Sequence, residues 1–426
     1  MDEKEFPKVL VISHNPMSSE NNMGKTLASY FSQFPSDCIR QIYLHAGIPS
    51  SNVCQNYYSF SDKDALISIF NRFHQGKFFS NQDFSKNNHQ YNNSSIYSLG
   101  RKKKPIIYLC RDLIWKICSF FNKKIDLWIK EFSPDCIFFA SGDYRFSYRI
   151  ALKISKKYNI PLITCCFDDY YLNCVYKDKP FGKLYYKKFI KIVNKIINYS
   201  SSIFVVNPMM KIAYDAKFAI NSIVLYTPCS INYEHVNFNN KKGITYIGGL
   251  GLNRHEVLIQ LGLFFKENYN LYIDVYSFET NKEIIEQLTE SNGIIFHGGI
   301  HADEVRQIQK NSLLLLHVES FDEKMRNRTR FSLSTKISES LCSGTVLLTF
   351  GPSDIASIQY LNNYNYPFVF SDLESLKRNI EDVFNEKTYN DIILASFDIA
   401  KKNHSFDSVT QILIKEMGKC NENTSS

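Results

Sequence analysis

Two side chains of this sequence, Lys336 and Glu339, have the types and the spacing that binding of a charged ligand needs. They lie in the stretch FSLSTKISESLC, where Ile337 and Leu341 are four residues apart. Residues at that spacing share one face of a helix, so the two apolar side chains would pack inward. Lys336 and Glu339 would then lie together on the opposite, outward face.

The residues before this helix predict where a ligand would bind. A helix that begins at Ser334 or Thr335 presents free backbone N–H groups and a partial positive charge at its amino end. A diphosphate suits that end, with Lys336 as a point charge. The carboxylate of Glu339, one turn later, can accept hydrogen bonds from two hydroxyls of a ribose.

A glycine-rich turn with an arginine is a second candidate element. Residues 248–251 read GGLG, and Arg254 follows within one helical turn. Glycines such as Gly249 let the backbone approach an anion closely, and an arginine can bind a pyrophosphate through two donors. The alternatives are an ordinary surface arginine here and a solvent-exposed Lys336–Glu339 pair, which contributes only a few tenths of a kcal/mol.

The order of predicted elements favours a bound nucleotide over those alternatives. In the second half of the chain, short apolar runs alternate with segments long enough for a helix. The strand candidates are 244–247, 271–276, 294–296, 313–318 and 346–350. That alternation predicts a parallel sheet with helices on both faces.

The first half shows the same alternation. Its strand candidates are 8–13, 136–140, 161–166, 203–206 and 223–226, and its helix candidates are 26–34, 144–158 and 208–218. Residues 47–104 are polar without a clear period, and a helical hairpin or insertion is expected there. The sequence therefore predicts an α/β protein with two doubly wound, Rossmann-like domains.

Acidic side chains follow two of the strands in the first half. Asp143 comes after 136–140, and Asp168 and Asp169 come after 161–166. Ligands gather at the carboxyl ends of strands in an open sheet, so Asp143, Asp168 or the loop residue His14 could act as a base. Asp143 and Asp169 could equally cap a helix or a turn.

The segment around Lys336 and Glu339 resembles the nucleotide-binding half of GT-B glycosyltransferases, in particular the bacterial family 4-like group that builds surface polysaccharides. The resemblance implies two Rossmann-like domains that face a cleft. It implies a donor site formed by Gly249, Arg254, Ser334, Lys336 and Glu339. It also places Asn22, Gly24 and Asp169 on the acceptor side or at the cleft.

The resemblance is partial at one important position. Many relatives carry a second glutamate eight residues before Glu339, and this chain has Phe331 there. Glu319, at the end of the strand candidate 313–318, is the nearest substitute. A second lysine that often follows the arginine of the glycine turn is also missing at the matching spacing.

Two other motifs are weaker. Gly24-Lys25-Thr26 resembles the end of a phosphate-binding loop, but the glycine needed five residues earlier is Ser19. Asp62-Lys63-Asp64 has the spacing of metal-binding acids but no preceding buried strand, so a helix start capped by Ser61 is expected. No obligatory metal and no cofactor are predicted.

Composition agrees with a two-domain enzyme. The 426 residues suit two cores, and 44% of them are hydrophobic. The 11 cysteines include no C-x-x-C pair, so neither a zinc site nor a disulfide framework is indicated and reduced thiols are expected. No apolar stretch approaches the ~20 residues of a membrane helix, which predicts a cytoplasmic protein.

The net charge of +8 is unevenly distributed. Residues 101–104 read RKKK, and seven lysines between 177 and 195 alternate with aromatic and apolar residues. Such a stretch could lie on an anionic membrane surface, or it could be a solvated helix face. No nucleic-acid-binding module accompanies the lysines, so nucleic acid is not an expected partner.

The expected organisation is an acceptor-binding domain at 1–230, a linker at 231–242, a nucleotide-sugar-binding domain at 243–402, and a helix at 403–426 that crosses back to the first domain. The expected activity is transfer of a sugar from a nucleoside diphosphate, UDP as first choice, to a glycan acceptor on a lipid carrier. The enzyme would lie in the cytoplasm, at the inner face of the membrane. The rivals are an inactive scaffold of the same fold and a sugar-nucleotide epimerase.

Overall fold

The computed structural model describes residues 6–19, 22–80, 105–173, 179–231 and 237–422. These residues form two compact units. The first comprises 1–206, 210–225 and 409–426, and the second comprises 207–209 and 226–408. The basic run 101–104 and part of the expected linker, 232–236, lie outside the described residues.

The first unit is built on an eight-stranded sheet. In chain order its strands are β1 Val9–Ser13, β2 Ile39–Tyr43, β3 Asn56–Ser59, β4 Lys77–Ser80, β5 Cys136–Ser141, β6 Leu162–Cys166, β7 Ser202–Val205 and β8 Ile223–Val224. The strand order is β4-β3-β2-β1-β5-β6-β7-β8, and only the β3–β4 pair is antiparallel. The order reverses between β1 and β5, and such switch points are where open α/β sheets bind ligands.

Helices of the first unit connect these strands. They are α1 Asn22–Tyr30, α2 Asp62–Phe70, α3 Pro105–Ile117, α4 Lys123–Phe132, α5 Arg145–Tyr158, α6 Gly182–Ile197 and α7 Pro208–Phe218. α1 begins four residues before the predicted helix. The expected capping of α2 is confirmed, since Ser61 and Asp64 form a capping box.

The stretch 47–104 differs from its prediction. Its described part contains β3, α2 and β4 rather than a helical hairpin alone. β3 is only four residues long, and the sequence NYYS has no alternation of apolar and polar residues that would reveal it. β4 is exposed or half-buried along its length, so its core-facing pattern is weak.

The second unit contains a six-stranded, fully parallel sheet. Its strands are β9 Lys242–Ile247, β10 Ile273–Tyr276, β11 Ile294–Gly298, β12 Ser312–Val318, β13 Val346–Phe350 and β14 Val369–Phe370. The order is β11-β10-β9-β12-β13-β14, so the switch point lies between β9 and β12. The five predicted strands are confirmed, and β14 escaped prediction because only two residues pair.

Helices α8 to α15 cover this second sheet, and α16 returns to the first unit. They are α8 Arg254–Tyr269, α9 Lys282–Ile285, α10 Ala302–Asn311, α11 Glu323–Thr329, α12 Thr335–Leu341, α13 Ala356–Asn362, α14 Leu373–Asn379, α15 Glu386–His404 and α16 Phe406–Glu422. Val409, Leu413 and Met417 of α16 join the buried core of the first unit.

Residues expected to form a linker are instead partly packed in the second unit. A short 3-10 helix, Phe238–Asn240, precedes β9, and the ring of Phe238 lies 5.2 Å from that of Tyr389. Tyr226, Cys229 and Ile231 pack against the same core. The second compact unit accordingly begins at Tyr226.

One cysteine pair bears on the expectation of reduced thiols. Cys229 and Cys342 lie side by side in the second unit, across 113 residues of sequence, but their Cα atoms are 7.1 Å apart and Sγ of Cys229 donates a hydrogen bond to the carbonyl of Ser338 at 3.3 Å, which is the geometry of a thiol. Cys342 caps the carboxyl end of α12, the helix that carries Lys336 and Glu339. The other cysteines among the described residues are free.

Candidate functional site

Lys336 reaches from α12 to the end of β9. Its Nζ donates a hydrogen bond to the carbonyl oxygen of Ile247, 2.5 Å away, and lies 5.9 Å from the centre of the Tyr246 ring. Residues 248–251 follow Ile247 directly. The lysine therefore stands at the glycine turn, although no spacing rule linked the two segments in the sequence.

Gly248 makes that approach possible. A Cβ at this position would collide with Nζ of Lys336 and would lie 2.8 Å from the hydroxyl oxygen of Tyr246. The Gly248 backbone N–H donates to the carbonyl of Tyr276 at 2.9 Å, and the Tyr246 hydroxyl donates to the carbonyl of Gly249 at 2.8 Å. A Cβ at Gly249 would meet nothing within 4 Å, so this part of the turn is open.

Arg254 and Glu319 form an ion pair across the switch point. Arg254 is the first residue of α8, after β9, and Glu319 follows β12. Nη2 of Arg254 lies 3.0 and 3.1 Å from the two carboxylate oxygens. Because β9 and β12 are neighbours whose connections leave in opposite directions, the pair lies where this fold class binds ligands.

The electrostatics of this cluster depend on burial. Burial, and to a smaller extent nearby Arg254, lower the pKa of Lys336 to about 8, while Glu339 acts in the opposite sense. Burial would raise the pKa of Glu319, but His317 and Arg254 outweigh it, so that pKa lies below its ordinary value. Perturbed groups in one place are typical of functional sites.

Ser334 and Glu339 take the positions that the sequence predicts. Ser334 is the N-cap of α12, and its hydroxyl accepts a hydrogen bond from the Lys336 backbone N–H at 3.4 Å. Glu339 is half-buried one turn along the helix. Phe331 lies half-buried before the helix, where its carbonyl accepts a hydrogen bond of 2.6 Å from Asn207.

The first unit has its own cluster of polar and aromatic side chains at the carboxyl ends of β1, β2 and β5. His14 follows β1, and its ring centre lies 5.4 Å from that of His45 and 4.3 Å from that of Tyr144. Nδ1 of His14 is buried without a hydrogen-bond partner among the described residues. Burial, Arg111 and His45 lower the pKa of His14 well below its usual value.

Arg111 stacks on this cluster and was not found from the sequence. Its guanidinium lies 4.3 Å from the centre of the Tyr144 ring and 3.0 Å from a carboxylate oxygen of Asp62. Trp115 donates to the same carboxylate at 2.7 Å. Asp62 is therefore paired with Arg111 and Trp115, and among the described residues no group of three acidic, histidine or cysteine side chains could hold a metal ion.

Asp143 lies at the same edge and is buried. Its Oδ2 accepts a hydrogen bond from Tyr108 at 2.9 Å, and its backbone carbonyl accepts one from Tyr185 at 2.5 Å. Tyrosine hydroxyls therefore hold both the carboxylate and the backbone carbonyl of Asp143. Neither tyrosine could be predicted as a partner from local spacing, because one lies 35 and the other 42 residues away.

Asp168 and Asp169 have different surroundings. Asp168 is half-buried and its Oδ1 accepts from the Asp169 backbone N–H at 2.9 Å. The Asp169 carboxylate accepts hydrogen bonds from three backbone N–H groups and from Tyr214, at 2.8 to 3.0 Å. This saturation favours the turn-cap alternative for Asp169 over a ligand contact.

Gly24 lies within α1, which Asn22 begins. A Cβ at Gly24 would lie 2.5 Å from the carbonyl oxygen of Pro16 and 2.9 Å from Cβ of Ser18. The glycine therefore lets α1 pack closely on the loop after β1. This packing explains Gly24 without an incomplete phosphate-binding loop.

Comparison with known proteins identifies the fold. No protein-family model matches the sequence, and no curated protein matches it significantly. Among solved structures, HepE of Anabaena in complex with UDP has a TM-score of 0.63 at 12% identity, covering 97% of this chain and 100% of its own. The chain has the GT-B fold.

Further solved structures agree with this GT-B assignment. TarM, known from S. aureus, has a TM-score of 0.61 at 11% identity, covering 98% of this chain and 100% of its own. The α,α-trehalose 6-phosphate synthase of Burkholderia multivorans has a TM-score of 0.60 at 10% identity, with 99% and 98% covered. Among the described residues no helix is long and apolar enough to cross a membrane.

Proposed function

We propose that this chain is a glycosyltransferase that takes its sugar from a nucleoside diphosphate. The observation that carries the proposal is the meeting of Lys336 and Arg254 at the glycine turn after β9. They come from α12 and α8, and both lie beside the switch point of the second sheet. Two cations at a backbone turn suit a diphosphate.

Lys336 would take the place of the lysine that is missing after Arg254. It comes from another helix, but its Nζ reaches the carbonyl of Ile247, immediately before the turn. In the reaction the bond between the sugar and the diphosphate breaks and negative charge grows on the departing phosphate oxygen. Arg254 and Lys336 would stabilise that charge, and Glu339 would bind the ribose hydroxyls.

UDP is the nucleotide that the comparisons favour. HepE was crystallised with UDP and with UDP-glucose, and the E. coli trehalose-6-phosphate structure is described as bound with UDP-2-fluoro glucose. These ligands belong to those proteins. For this chain UDP is the first member of a nucleotide panel, and no metal or further cofactor is part of the proposal.

Acceptor binding is proposed for the first unit, at the cluster around His14. Nδ1 of His14 is buried and has no hydrogen-bond partner among the described residues, and the lowered pKa keeps the ring neutral, so it can accept a hydrogen bond from an acceptor hydroxyl. Binding of the acceptor would have to raise that pKa before His14 could act as a base. Asp143, held by Tyr108, and Asp168 are the other candidate bases. A retaining transfer would instead use these groups to bind sugar hydroxyls.

The finer assignment is a family 4-like enzyme of surface-polysaccharide synthesis that acts on a lipid-linked glycan at the inner face of the membrane. Its support is a basic surface on α5 and α6. A groove of about 500 Å³ there is lined by Arg149, Lys153, Lys156, Lys157 and Lys195 over Leu152 and Ile192. Cations over an apolar floor suit an anionic lipid surface.

The same surface limits how the protein would meet a membrane. Tyr185, Phe189 and Val193 of α6 are buried in the first unit, so of the apolar residues among the lysines only Phe181, 59% exposed, and Leu184, 46% exposed, are available for insertion. Lys183, Lys187, Lys188, Lys191 and Lys195 are exposed. Membrane association would therefore be electrostatic and sensitive to salt.

A panel of UDP-, GDP-, ADP- and CMP-sugars tests the proposal through thermal unfolding. Ligand at ~100 times its dissociation constant adds about 2.7 kcal/mol of stability. One nucleotide should raise the melting temperature of the wild type, and Lys336→Ala should reduce that rise by about half or more at the same ligand concentration, because its affinity is expected to be at least tenfold lower. A folded protein that responds to none of them would contradict the proposal and favour a scaffold without catalysis.

The epimerase alternative is separated by product analysis. A transferase needs an acceptor for rapid turnover, whereas an epimerase converts the donor alone. Incubation of the selected nucleotide sugar without acceptor, followed by chromatography of the sugar, distinguishes the two. Stoichiometric epimerisation would overturn the transferase assignment while leaving the donor site in place.

A further inference from the structure

The carboxylate of Glu319 is committed to Arg254. Nη2 of Arg254 lies 3.0 and 3.1 Å from its two oxygens, and the Glu319 side chain is only 3% exposed. A sugar hydroxyl would have to displace the surrounding protein to reach it. This environment disagrees with the expectation that Glu319 replaces the carboxylate missing at Phe331.

The position of Glu319 is fixed from several sides. Its backbone N–H donates to the carbonyl of Phe350 at 3.0 Å. A Cβ at Gly351 would lie 3.0 Å from Cβ of Glu319, so the glycine provides the space that this side chain occupies. His317, two residues earlier and buried, has Nε2 3.3 Å from Oε1 of Glu319, but that nitrogen makes no hydrogen bond among the described residues.

The guanidinium of Arg254 is held by Glu319 through one nitrogen, which leaves other N–H donors for a ligand. A guanidinium carries five N–H donors in a rigid fork, and only Nη2 contacts Glu319. Nε of Arg254 is buried without a hydrogen-bond partner among the described residues. The side chain is 22% exposed, so part of the fork remains accessible.

From this geometry we infer that Glu319 is a positioning residue that orients the Arg254 guanidinium toward the diphosphate of the donor and does not contact the donor sugar. The inference rests on the proposed function. A fixed guanidinium loses less conformational entropy on binding than a free one, which is how an anchored arginine gains affinity. The donor sugar would then be recognised without a carboxylate at either Phe331 or Glu319.

Binding of UDP and of uridine to Glu319→Gln separates positioning from a general structural effect. Uridine lacks the diphosphate. If Arg254 is no longer oriented toward the diphosphate, the affinity for UDP should fall by about tenfold, while the affinity for uridine should equal that of the wild type. Glu319→Asp keeps the charge and should recover part of the loss. Glu286→Gln, the same change at an exposed position of the second unit, is the matched control and should leave both affinities unchanged.

A double-mutant cycle shows whether Glu319 acts through Arg254. In an Arg254→Gln background, Glu319→Gln should cause no further loss of UDP affinity, because the residue it orients is gone. If the losses of UDP affinity caused by the two single substitutions are additive in the double mutant, Glu319 contacts the donor directly and the inference is overturned. If Arg254→Gln leaves the buried carboxylate unpaired and unfolds the chain, Arg254→Lys serves in its place.

The possible results distinguish this inference from the proposed function. If the wild type binds no nucleoside diphosphate, both fail. If the wild type binds UDP and Glu319→Gln binds it equally well, only the positioning role fails. An equal loss of affinity for UDP and for uridine in Glu319→Gln would also overturn the positioning role, since that pattern indicates a local loss of structure at the site rather than a changed orientation of Arg254.

Discussion

Nζ of Lys336 donates a hydrogen bond to the carbonyl oxygen of Ile247, and the two residues are 89 positions apart in sequence. This contact brings the only lysine of α12 to the end of β9, beside the glycine turn. It supplies a second cation next to Arg254 without a lysine in α8 at the usual position.

Lys336→Ala should weaken binding of a nucleoside diphosphate by about 10- to 100-fold, because a charge-assisted hydrogen bond contributes about 1.5–3 kcal/mol. Isothermal titration with UDP measures the change. Lys377→Ala, at an exposed position of α14, is the control and should bind as the wild type. Equal affinities for the wild type and Lys336→Ala would remove Lys336 from the donor site.

Affinity for UDP should fall as pH rises above about 8. Lys336 has a pKa of about 8 in the ligand-free protein, and only its charged form attracts the diphosphate. Arg254, Glu339 and Tyr246 also face this site, but Arg254 keeps its charge and burial raises the pKa of Tyr246 to about 12. Lys336→Arg should remove the pH dependence, and a flat wild-type profile between pH 7 and 9.5 would contradict the assignment.

The same lysine predicts a change in folding stability with pH. Its pKa is lower in the folded chain than in the unfolded chain, so between about 8 and 10.5 the unfolded state binds more protons. Stability from this group therefore increases as pH rises through that range. Urea unfolding at pH 7.5 and 9.5 measures the free energy of unfolding of the wild type and of Lys336→Met. The advantage of Lys336→Met over the wild type should be smaller at pH 9.5 than at pH 7.5, and a larger advantage at pH 9.5 would contradict the predicted direction.

Gly248→Ala should displace Lys336 and reduce UDP binding, since the new methyl group would collide with Nζ and approach the Tyr246 hydroxyl to 2.8 Å. The expected loss resembles that of Lys336→Ala. Gly418→Ala places a methyl group where nothing lies within 4 Å and should leave binding intact. Titration with UDP measures both, and normal affinity of Gly248→Ala would show that the turn accommodates a side chain.

Charge reversal of Lys153, Lys156 and Lys195 should abolish sedimentation with anionic vesicles. These lysines line the groove on α5 and α6, and each basic residue near an anionic surface contributes about 1 kcal/mol. Reversal of Lys377, Lys387 and Lys401, exposed in the second unit, controls for net charge. A wild type that shows no preference for anionic over neutral vesicles would refute membrane association.

The features that the sequence predicts well are those encoded by the spacing of residues within a single helix or strand. The alternation of apolar runs and helical segments identified both sheets, and the i, i+3 relation placed Lys336 and Glu339 on one face of α12. Short or exposed elements such as β3, β4 and β14 were missed because their few residues carry no period. Asp169 was predicted as a cleft residue or a cap, and only its four hydrogen bonds favour the cap.

By itself, therefore, the sequence determined the α/β class, most of the strands and the residue types of the proposed donor site. Only the tertiary structure decided which of those residues meet. Arg254 pairs with Glu319 across 65 residues, and Cys229 reaches Cys342 across 113. The physical reason is that helical and strand periods fix neighbours within a few residues, whereas contacts between elements depend on the order of strands in the sheet, which no local period encodes.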